Sequence, residues 1–226
     1  MITAETLKTV SSSRLFTDKK LAFSAAVLVI FHAVGFWGLV FSGTPETYQN
    51  LTPLNLLLTN FLLFLHHKNF NAAFFLFALI TFAAGFLAEV LGVHTGLLFG
   101  NYVYGEALGF KLWEVPLLIG LNWVMLVYCI GITVRNWTEK PWLAAIISAL
   151  LMVLLDYFIE PVAVRFDFWS WQNNEIPLQN YAGWLLLALI LQLYFQRSNV
   201  PKTNAVAPLV FLLQAVFFIA LNITLQ

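Results

Sequence analysis

The sequence predicts an all-α polytopic membrane protein, a bundle of about seven transmembrane helices with its N-terminus in the cytoplasm. Composition is the first reason: of 226 residues, 61% are hydrophobic and 10% are charged. In soluble domains about a quarter of the residues are charged. The mean hydropathy is +0.83. Because no alternating barrel pattern is present and backbone polar groups must be satisfied within lipid, the spans are expected to be helices.

Seven apolar runs supply the candidate spans. They cover residues 21–41, 51–66, 70–91, 115–134, 142–160, 181–196 and 205–225. The second and sixth are short for the roughly 20 residues that a helix needs to cross the hydrocarbon. We interpret residues 1–226 as a single transmembrane domain with a cytoplasmic N-terminal tail over residues 1–20. The expected location is the cell (inner) membrane, as a multi-pass protein.

The basic residues set the expected orientation. Nine of the eleven Lys and Arg residues fall on one side of the seven-span arrangement: Lys8, Arg14, Lys19, Lys20, Lys68, Arg135, Lys140, Arg197 and Lys202. By the positive-inside rule, this bias places the N-terminus in the cytoplasm and the C-terminus outside. The net charge is zero, so nothing indicates a nucleic-acid partner.

Most acidic residues map to the opposite, outer side. They are Glu46, Glu89, Glu106, Glu114, Asp156, Glu160, Asp167 and Glu175. Solvation explains those in loops, but Glu89 and Asp156 lie within apolar runs. A carboxylate there costs roughly 2.5–3.5 kcal/mol on insertion scales, so both are expected to face the bundle interior as functional groups. The alternative is a structural hydrogen bond between helices.

Asp156 and Glu160 are four residues apart, which places both on one face of a helix. Pro161 is predicted to end that helix. Two carboxylates sharing a low-dielectric site do not both ionise easily. One of them can then remain a proton donor at neutral pH. The alternative for Glu160 is simple solvation at the interface.

The stretch from Glu89 to Trp123 is rich in glycine and is the segment around which the chain is organised. It contains Tyr102 and Tyr104 among the glycines Gly92, Gly96, Gly100, Gly105 and Gly109. Glycine at this density permits close backbone approach. We therefore predict that the segment folds back against the membrane and helps to form a site. An exposed surface turn is the alternative.

Other site types have little support in the sequence. Asn122 is a candidate for holding a water or orienting a carboxylate, or for linking helices. No HxxxH or HxxE spacing predicts a metal site, and no P-loop, GxGxxG after a strand or GxSxG is present. The single cysteine, Cys129, allows no intrachain disulfide.

Two motifs resemble those of the CruF-type carotenoid biosynthesis proteins, the carotenoid 1,2-hydratases. The first is ExxGxxTGxxFGxYxYGExLG from Glu89 to Gly109, which continues into VPxxIGxNW from Val115 to Trp123. The second is DxxIEPVAxxxDFWxW, from Asp156 to Trp171. Together with the seven-span layout, the resemblance extends over most of the chain from about residue 25.

The resemblance implies addition of water across the terminal 1,2 double bond of an acyclic carotenoid end group, of the lycopene or gamma-carotene type. It implies no metal and no organic cofactor; the expected partners are the carotenoid, water, the lipid bilayer and other carotenoid enzymes. We assign the acid to Asp156, with Glu160 or Glu89 positioning and deprotonating the water. The candidate substrate-binding residues are Tyr102, Tyr104, Glu106, Asn122, Trp123, Asp167 and Trp169, of which Tyr102, Tyr104, Trp123 and Trp169 could stabilise a cation through their ring faces.

Three other functions are compatible with the residues. A membrane lycopene cyclase shares the protonation step but lets a neighbouring double bond capture the cation. A transporter or proton channel would use Glu89 and Asp156 as relays, although the sequence lacks internal repeats. A non-catalytic carotenoid-binding protein is the third.

Overall fold

The structure, a computed structural model, describes residues 18–225. Its helices are α1 Lys19–Phe41, α2 Pro45–Gln49, α3 Thr52–Leu65, α4 Ala72–Thr95, α5 Leu117–Arg135, α6 Pro141–Arg165, α7 Leu178–Arg197 and α8 Ala207–Thr224. Four short strands lie between them: β1 Tyr102–Tyr104, β2 Lys111–Leu112, β3 Val115–Pro116 and β4 Trp169–Trp171. A 3-10 turn covers Gln172–Asn174. A helix thus lies at each of the seven predicted spans, and the chain is an all-α polytopic bundle.

Six of the described helices are long and apolar enough to cross a membrane, so the chain is a multi-pass membrane protein. The exception is α3, whose 14 residues extend about 21 Å, less than the roughly 30 Å of hydrocarbon. It nevertheless returns the chain to the end where α1 begins, because Lys20 Nζ donates to the carbonyl of Leu65 over 3.3 Å. Six of the seven predicted spans are therefore helices of membrane-spanning length, and the second, which the sequence predicts to be short, is α3.

Most described basic side chains lie at one end of the bundle, which we call the basic end. Its members are Lys19, Lys20, Lys68, Arg135, Lys140, Arg197 and Lys202. Arg165 lies at the opposite end, where its guanidinium donates to the carbonyl of Leu225 over 3.2 Å. The predicted tail lies outside the described residues, except that residues 18–20 already cap or begin α1.

Side-chain caps define where two helices begin, and a glycine defines where one of them ends. The Asp18 carboxylate accepts from the backbone N–H groups of Lys20 and Leu21 at the start of α1, and Asn71 accepts from Phe74 at the start of α4. These caps satisfy backbone donors that have no partner within the helix. Gly96 ends α4 in the left-handed conformation, with φ +66°.

Helix α5 forms the centre of the bundle. Every residue from Trp123 to Val134 is buried, so this helix is surrounded by protein on all sides. Gly85 of α4 lies directly against the indole of Trp123, where any Cβ would overlap the ring. The absence of a side chain at Gly85 therefore lets α4 and α5 approach closely, as the small residues of this stretch predict.

The segment between α4 and α5 folds back onto the helices, as the glycine-rich sequence predicts. Tyr102–Tyr104 pairs antiparallel with Trp169–Trp171, in a two-stranded arrangement that we call the aromatic ribbon. Strands β2 and β3 pair separately, as a hairpin with a two-residue turn. Its turn residues Trp113 and Glu114 both have positive φ, as the tight turns of two-residue hairpins require.

The prediction that Pro161 ends its helix is wrong: α6 continues through this proline to Arg165. Proline removes one backbone donor and crowds the preceding turn. In that turn, Asn222 of α8 donates its side-chain amide to the carbonyl of Phe158 over 2.6 Å. Pro161 leaves the carbonyl of Tyr157 without its helical donor, and Asn222 binds the next carbonyl along the chain. Helices in membrane bundles tolerate proline where neighbouring helices supply such contacts.

The ribbon depends on a glycine. Any Cβ at Gly105 would overlap the backbone carbonyl of Asp167, which follows α6 and leads into β4. We expect Gly105→Ala to lower the apparent melting temperature of the detergent-solubilised protein, since overpacking typically costs about 1–3 kcal/mol. Gly35→Ala is the control, because its Cβ would meet only Phe217, at 3.6 Å. Equal melting temperatures for the two variants would contradict the close ribbon packing.

Candidate active site

Three buried carboxyl groups line one small chamber at the end of the bundle opposite the basic end. Glu89 comes from α4, and Asp156 and Glu160 come from successive turns of α6. The chamber has a volume of about 40 Å³. Its other lining residues are Tyr102, Tyr104, Ile119, Asn122, Trp123, Ile159, Trp169, Trp171, Asn180 and Trp184. The predicted common face of Asp156 and Glu160 is thus confirmed.

Glu89 accepts three hydrogen bonds from neutral donors. Its Oε2 accepts from the hydroxyl of Tyr102 over 2.6 Å and from that of Tyr104 over 2.9 Å. Its Oε1 accepts from the indole N–H of Trp123 over 3.1 Å. Both oxygens of this carboxyl are therefore occupied as acceptors.

Glu160 is held in the same manner by the other strand of the ribbon. Its Oε2 accepts from the indole N–H groups of Trp169, over 2.8 Å, and Trp171, over 2.7 Å. Its Oε1 accepts from the side-chain amide of Asn180 over 2.8 Å. This leaves Oε1 one lone pair that no described donor uses, since a carboxylate oxygen has room for two.

The aromatic ribbon explains how four donors reach two carboxyls. Side chains two residues apart in a strand point to the same face, so each strand directs two rings into the chamber. The register places Tyr102 opposite Trp171 and Tyr104 opposite Trp169. The rings of Tyr102 and Trp171 also pack together, with centroids 4.9 Å apart.

The phenols of the ribbon remain donors over the physiological pH range. Burial raises the pKa of Tyr104 well above its usual range, and the neighbouring Glu89 carboxylate raises it further. The pKa of Tyr102 is raised for the same two reasons. Because neither phenol loses its proton, both keep Glu89 in the acceptor role.

Asp156 differs from the two glutamates because one of its oxygens is free. Its Oδ2 accepts from the amide nitrogen of Asn180 over 3.0 Å, so that Asn180 bridges Asp156 and Glu160. Its Oδ1 is buried and has no hydrogen-bond partner among the residues that the structure describes. A proton on Oε2 of either glutamate would face two donors that already point at that oxygen, whereas Oδ1 of Asp156 can carry a proton and donate it into the chamber.

The chamber is surrounded by neutral polar and aromatic groups. Within residues 18–225, no Lys or Arg forms an ion pair with its carboxyls. Nor do any three His, Cys, Asp or Glu side chains of the described region, these carboxyls included, lie close enough together to hold a metal ion. The donors around the acids are two phenols, three indoles and one amide.

A larger apolar groove opens beside the chamber. Its volume is about 240 Å³, and it extends between α1, α3, α5, α6 and α8. The groove and the chamber share four lining residues: Ile119, Asn122, Ile159 and Trp169. An elongated apolar molecule in the groove can therefore reach the acids at one of its ends.

The structure brings most of the candidate residues together. Tyr102, Tyr104 and Trp123 bond to Glu89, Trp169 bonds to Glu160, and the two cavities meet at Asn122. Asn122 does not orient a carboxylate, since none of the hydrogen bonds found within residues 18–225 involves its side chain.

Two candidate residues lie outside both cavities. Glu106 is exposed and pairs with Lys111 over 2.7 Å, while Lys111 also donates to the carbonyl of Tyr104. Asp167 is exposed and adopts a positive φ of 51° against Gly105, a conformation that Asp tolerates better than most residues. The structure thus gives these two acids contacts that shape the ribbon and brings neither of them to the chamber.

Three chamber residues are absent from the sequence-based candidates: Trp171, Asn180 and Trp184. Trp184 stacks on Trp123 with ring centroids 4.3 Å apart. Asn180 and Trp184 are four residues apart and therefore share a face of α7. Asn180 follows Gln179 in the first turn of α7, and a polar residue at that end of a span was the available signal.

Comparison with known proteins shows the family of this chain. The family model described as "Carotenoid biosynthesis protein" matches residues 51–226. The chain belongs to this family. A relative in Haloarcula japonica, named bisanhydrobacterioruberin hydratase, is 32% identical over 115 residues. That match covers 47% of this chain and 39% of the relative, and no solved structure matches. The family match contains all three chamber carboxyls.

The bridging amide gives a direct test of the chamber. We expect Asn180→Leu to keep the fold but to reduce the formation of carotenoid product by about tenfold or more, because Asp156 and Glu160 lose their common donor. Product should be measured in membranes that contain equal amounts of each protein. Asn180→Asp, which keeps the size but replaces the donor by another acid, should be equally impaired. Full activity in both variants would show that the bridge is dispensable.

Proposed function

We propose that this carotenoid biosynthesis protein hydrates the terminal 1,2 double bond of an acyclic carotenoid end group. The end group is of the lycopene or gamma-carotene type, and the product is a tertiary alcohol. The observation that carries the proposal is the free, buried Oδ1 of Asp156 in a chamber that adjoins an apolar groove. The name of the Haloarcula japonica relative supports the same reaction class.

Asp156 is the proton donor in this proposal. The proton moves from Oδ1 to the less substituted carbon of the terminal double bond, and the positive charge develops on the carbon that bears two methyl groups. The other carboxyls each accept three hydrogen bonds. On each glutamate Oε2 faces two donors and Oε1 faces one, whereas no described donor faces Oδ1 of Asp156.

Water completes the reaction. The chamber's 40 Å³ exceeds the roughly 10–15 Å³ that one water requires, and its walls carry polar partners. The end group reacts at the shared boundary near Asn122, where the apolar groove meets the chamber. The water oxygen bonds to the cationic carbon, and its released proton passes to Glu160 Oε1, which retains a lone pair. The amide nitrogen of Asn180 holds both carboxyls close to each other, and a water in the chamber returns the proton from Glu160 to Asp156.

Aromatic faces stabilise the cation. Trp169 lines both cavities and donates its N–H to Glu160, so that its ring is held at the boundary where the charge develops. Cation–π contacts contribute about 2 kcal/mol or more in desolvated sites. The Trp123–Trp184 pair supplies a second aromatic wall in the chamber.

Pigment analysis tests the reaction. A host that makes lycopene should, with this chain, accumulate a pigment heavier by one water. That pigment should contain oxygen-18 when the cells grow in labelled water. An isomer of unchanged mass would instead indicate cyclisation, because the neighbouring double bond would have captured the cation. Bound, unaltered pigment would indicate a carotenoid-binding protein, and ion flux through the protein in liposomes a transporter.

The assignment of the acid has its own test. Asp156→Asn keeps the shape and the contact with Asn180 but removes the proton, so we expect at least a 100-fold loss of product, at the lower bound of about 10²–10⁴ for general acid catalysis. Glu175→Gln is the control, because Glu175 is an exposed acid at the same end of the bundle, outside both cavities. Unchanged turnover in Asp156→Asn would exclude Asp156 as the donor.

A further inference from the structure

The apolar groove opens through the side of the bundle between α1 and α3. Four of its lining residues are between 47% and 62% exposed, two of them on α1 and two at the start of α3. We call these residues the rim: Phe31, Val34, Leu51 and Leu54. Other lining residues, such as Leu126 and Val162, are buried. The groove is therefore a passage from the lateral surface of the bundle to its interior.

The two sides of the rim lie at the same depth. Helices α1 and α3 are antiparallel, and Lys20 at one end of the gap donates to the carbonyl of Leu65. Phe31 lies 11 residues after Lys20. Leu54 lies 11 residues before Leu65, so at about 1.5 Å per residue both rim residues are about 16 Å from that hydrogen bond. The other two rim residues are each 14 residues from it. The rim thus opens near the middle of α1, at the depth of the hydrocarbon.

Contacts join α1 to the segment of α2 and α3 at the two ends of the gap. At the basic end, Nε2 of His66 lies 2.9 Å from the hydroxyl of Ser24. At the opposite end, the ring of Tyr48 in α2 packs on Gly38 of α1, where any Cβ would overlap it. Between Ser24 and Gly38, none of the hydrogen bonds found within residues 18–225 joins α1 to α3. The gap is therefore bounded at both ends, and the rim between them is apolar.

The groove is suited to a hydrocarbon but is too small for a whole carotenoid. Its lining contains no Asp, Glu, Lys or Arg. Its volume of about 240 Å³ lies below the roughly 300–1,000 Å³ of pockets that enclose a drug-sized ligand. A carotenoid of the lycopene type is longer than such a ligand. When its end group reaches the boundary at Asn122, part of the polyene must therefore remain outside the groove, and the rim gives that part a way into the lipid.

We infer that the rim is a lateral port through which a carotenoid end group enters from the bilayer. The polyene then stays between α1 and α3 while the end group reacts at the chamber. This inference rests on the proposed function and specifies how the substrate reaches the site. The four rim residues contact the passing polyene and take no part in the chemistry.

Narrowing the rim tests the port. Val34→Trp and Leu51→Trp place a large ring in the gap, and we expect hydration of lycopene in proteoliposomes to fall by about tenfold or more, because the end group no longer reaches its reactive position. Val29→Trp and Leu57→Trp are the matched controls, since both residues are exposed on the same two helices and line neither cavity. The controls should keep the rate within about twofold. Equal rates in the rim and control variants would overturn the port.

Widening the rim distinguishes a port from a surface that binds the substrate by contact. Phe31→Ala and Leu54→Ala remove side-chain volume from the gap and leave the passage open. The rate of hydration should therefore stay within about twofold of that of the unaltered protein. Losses as large as those of the tryptophan variants would show that the rim acts through its contacts, and they would overturn the port.

A binding measurement separates this inference from the reaction itself. Asp156→Asn, which is expected not to turn over, should retain lycopene on purification from proteoliposomes. Adding Val34→Trp should lower the retained pigment, whereas adding Val29→Trp should not. This result without hydration by the unaltered protein would leave the port standing and remove the proposed function. Equal retention in the two double variants, with hydration by the unaltered protein, would leave the proposed function standing and remove the port.

Discussion

The pairing of β1 with β4 is the interaction on which the chamber depends. The two strands lie more than sixty residues apart in sequence, and their register determines which rings face which carboxyl. Displacement of one strand by one residue would turn its two rings to the opposite face, because strand side chains alternate with period 2. Glu89 or Glu160 would then lose two of its three donors inside a bundle where unpaired carboxyls are strongly unfavourable.

The three acids thus have unequal positions although they share one chamber. Neutral donors occupy both oxygens of each glutamate, while Asp156 keeps one oxygen free. This asymmetry distinguishes the residue that can deliver a proton from the residues that can orient water. The adjoining groove gives an apolar molecule access to the chamber.

Much of this arrangement could be predicted from local sequence. The length of the apolar runs located the helices. The free-energy cost of a carboxylate inside a span identified Glu89 and Asp156, and the four-residue spacing placed Glu160 beside Asp156. What depends on tertiary contacts could not be predicted. The helix continues past Pro161, and its preceding turn is contacted by Asn222 from α8. Asn180 lines the chamber because α7 packs on α6. The motif acids Glu106 and Asp167 have structural contacts in the ribbon, and sequence spacing alone does not distinguish such acids from those of the chamber.

In the proposed reaction, the proton of the chamber resides on Asp156. Infrared difference spectroscopy of the protein in liposomes at neutral pH measures it directly, because a protonated carboxyl has a carbonyl stretching band that a carboxylate lacks. Spectra of Asp156→Asn, Glu89→Gln and Glu160→Gln, each subtracted from the unaltered protein, assign that band. We predict that it disappears in Asp156→Asn and persists in the two glutamine variants. A band that persists in Asp156→Asn and disappears in Glu89→Gln or Glu160→Gln would contradict the account.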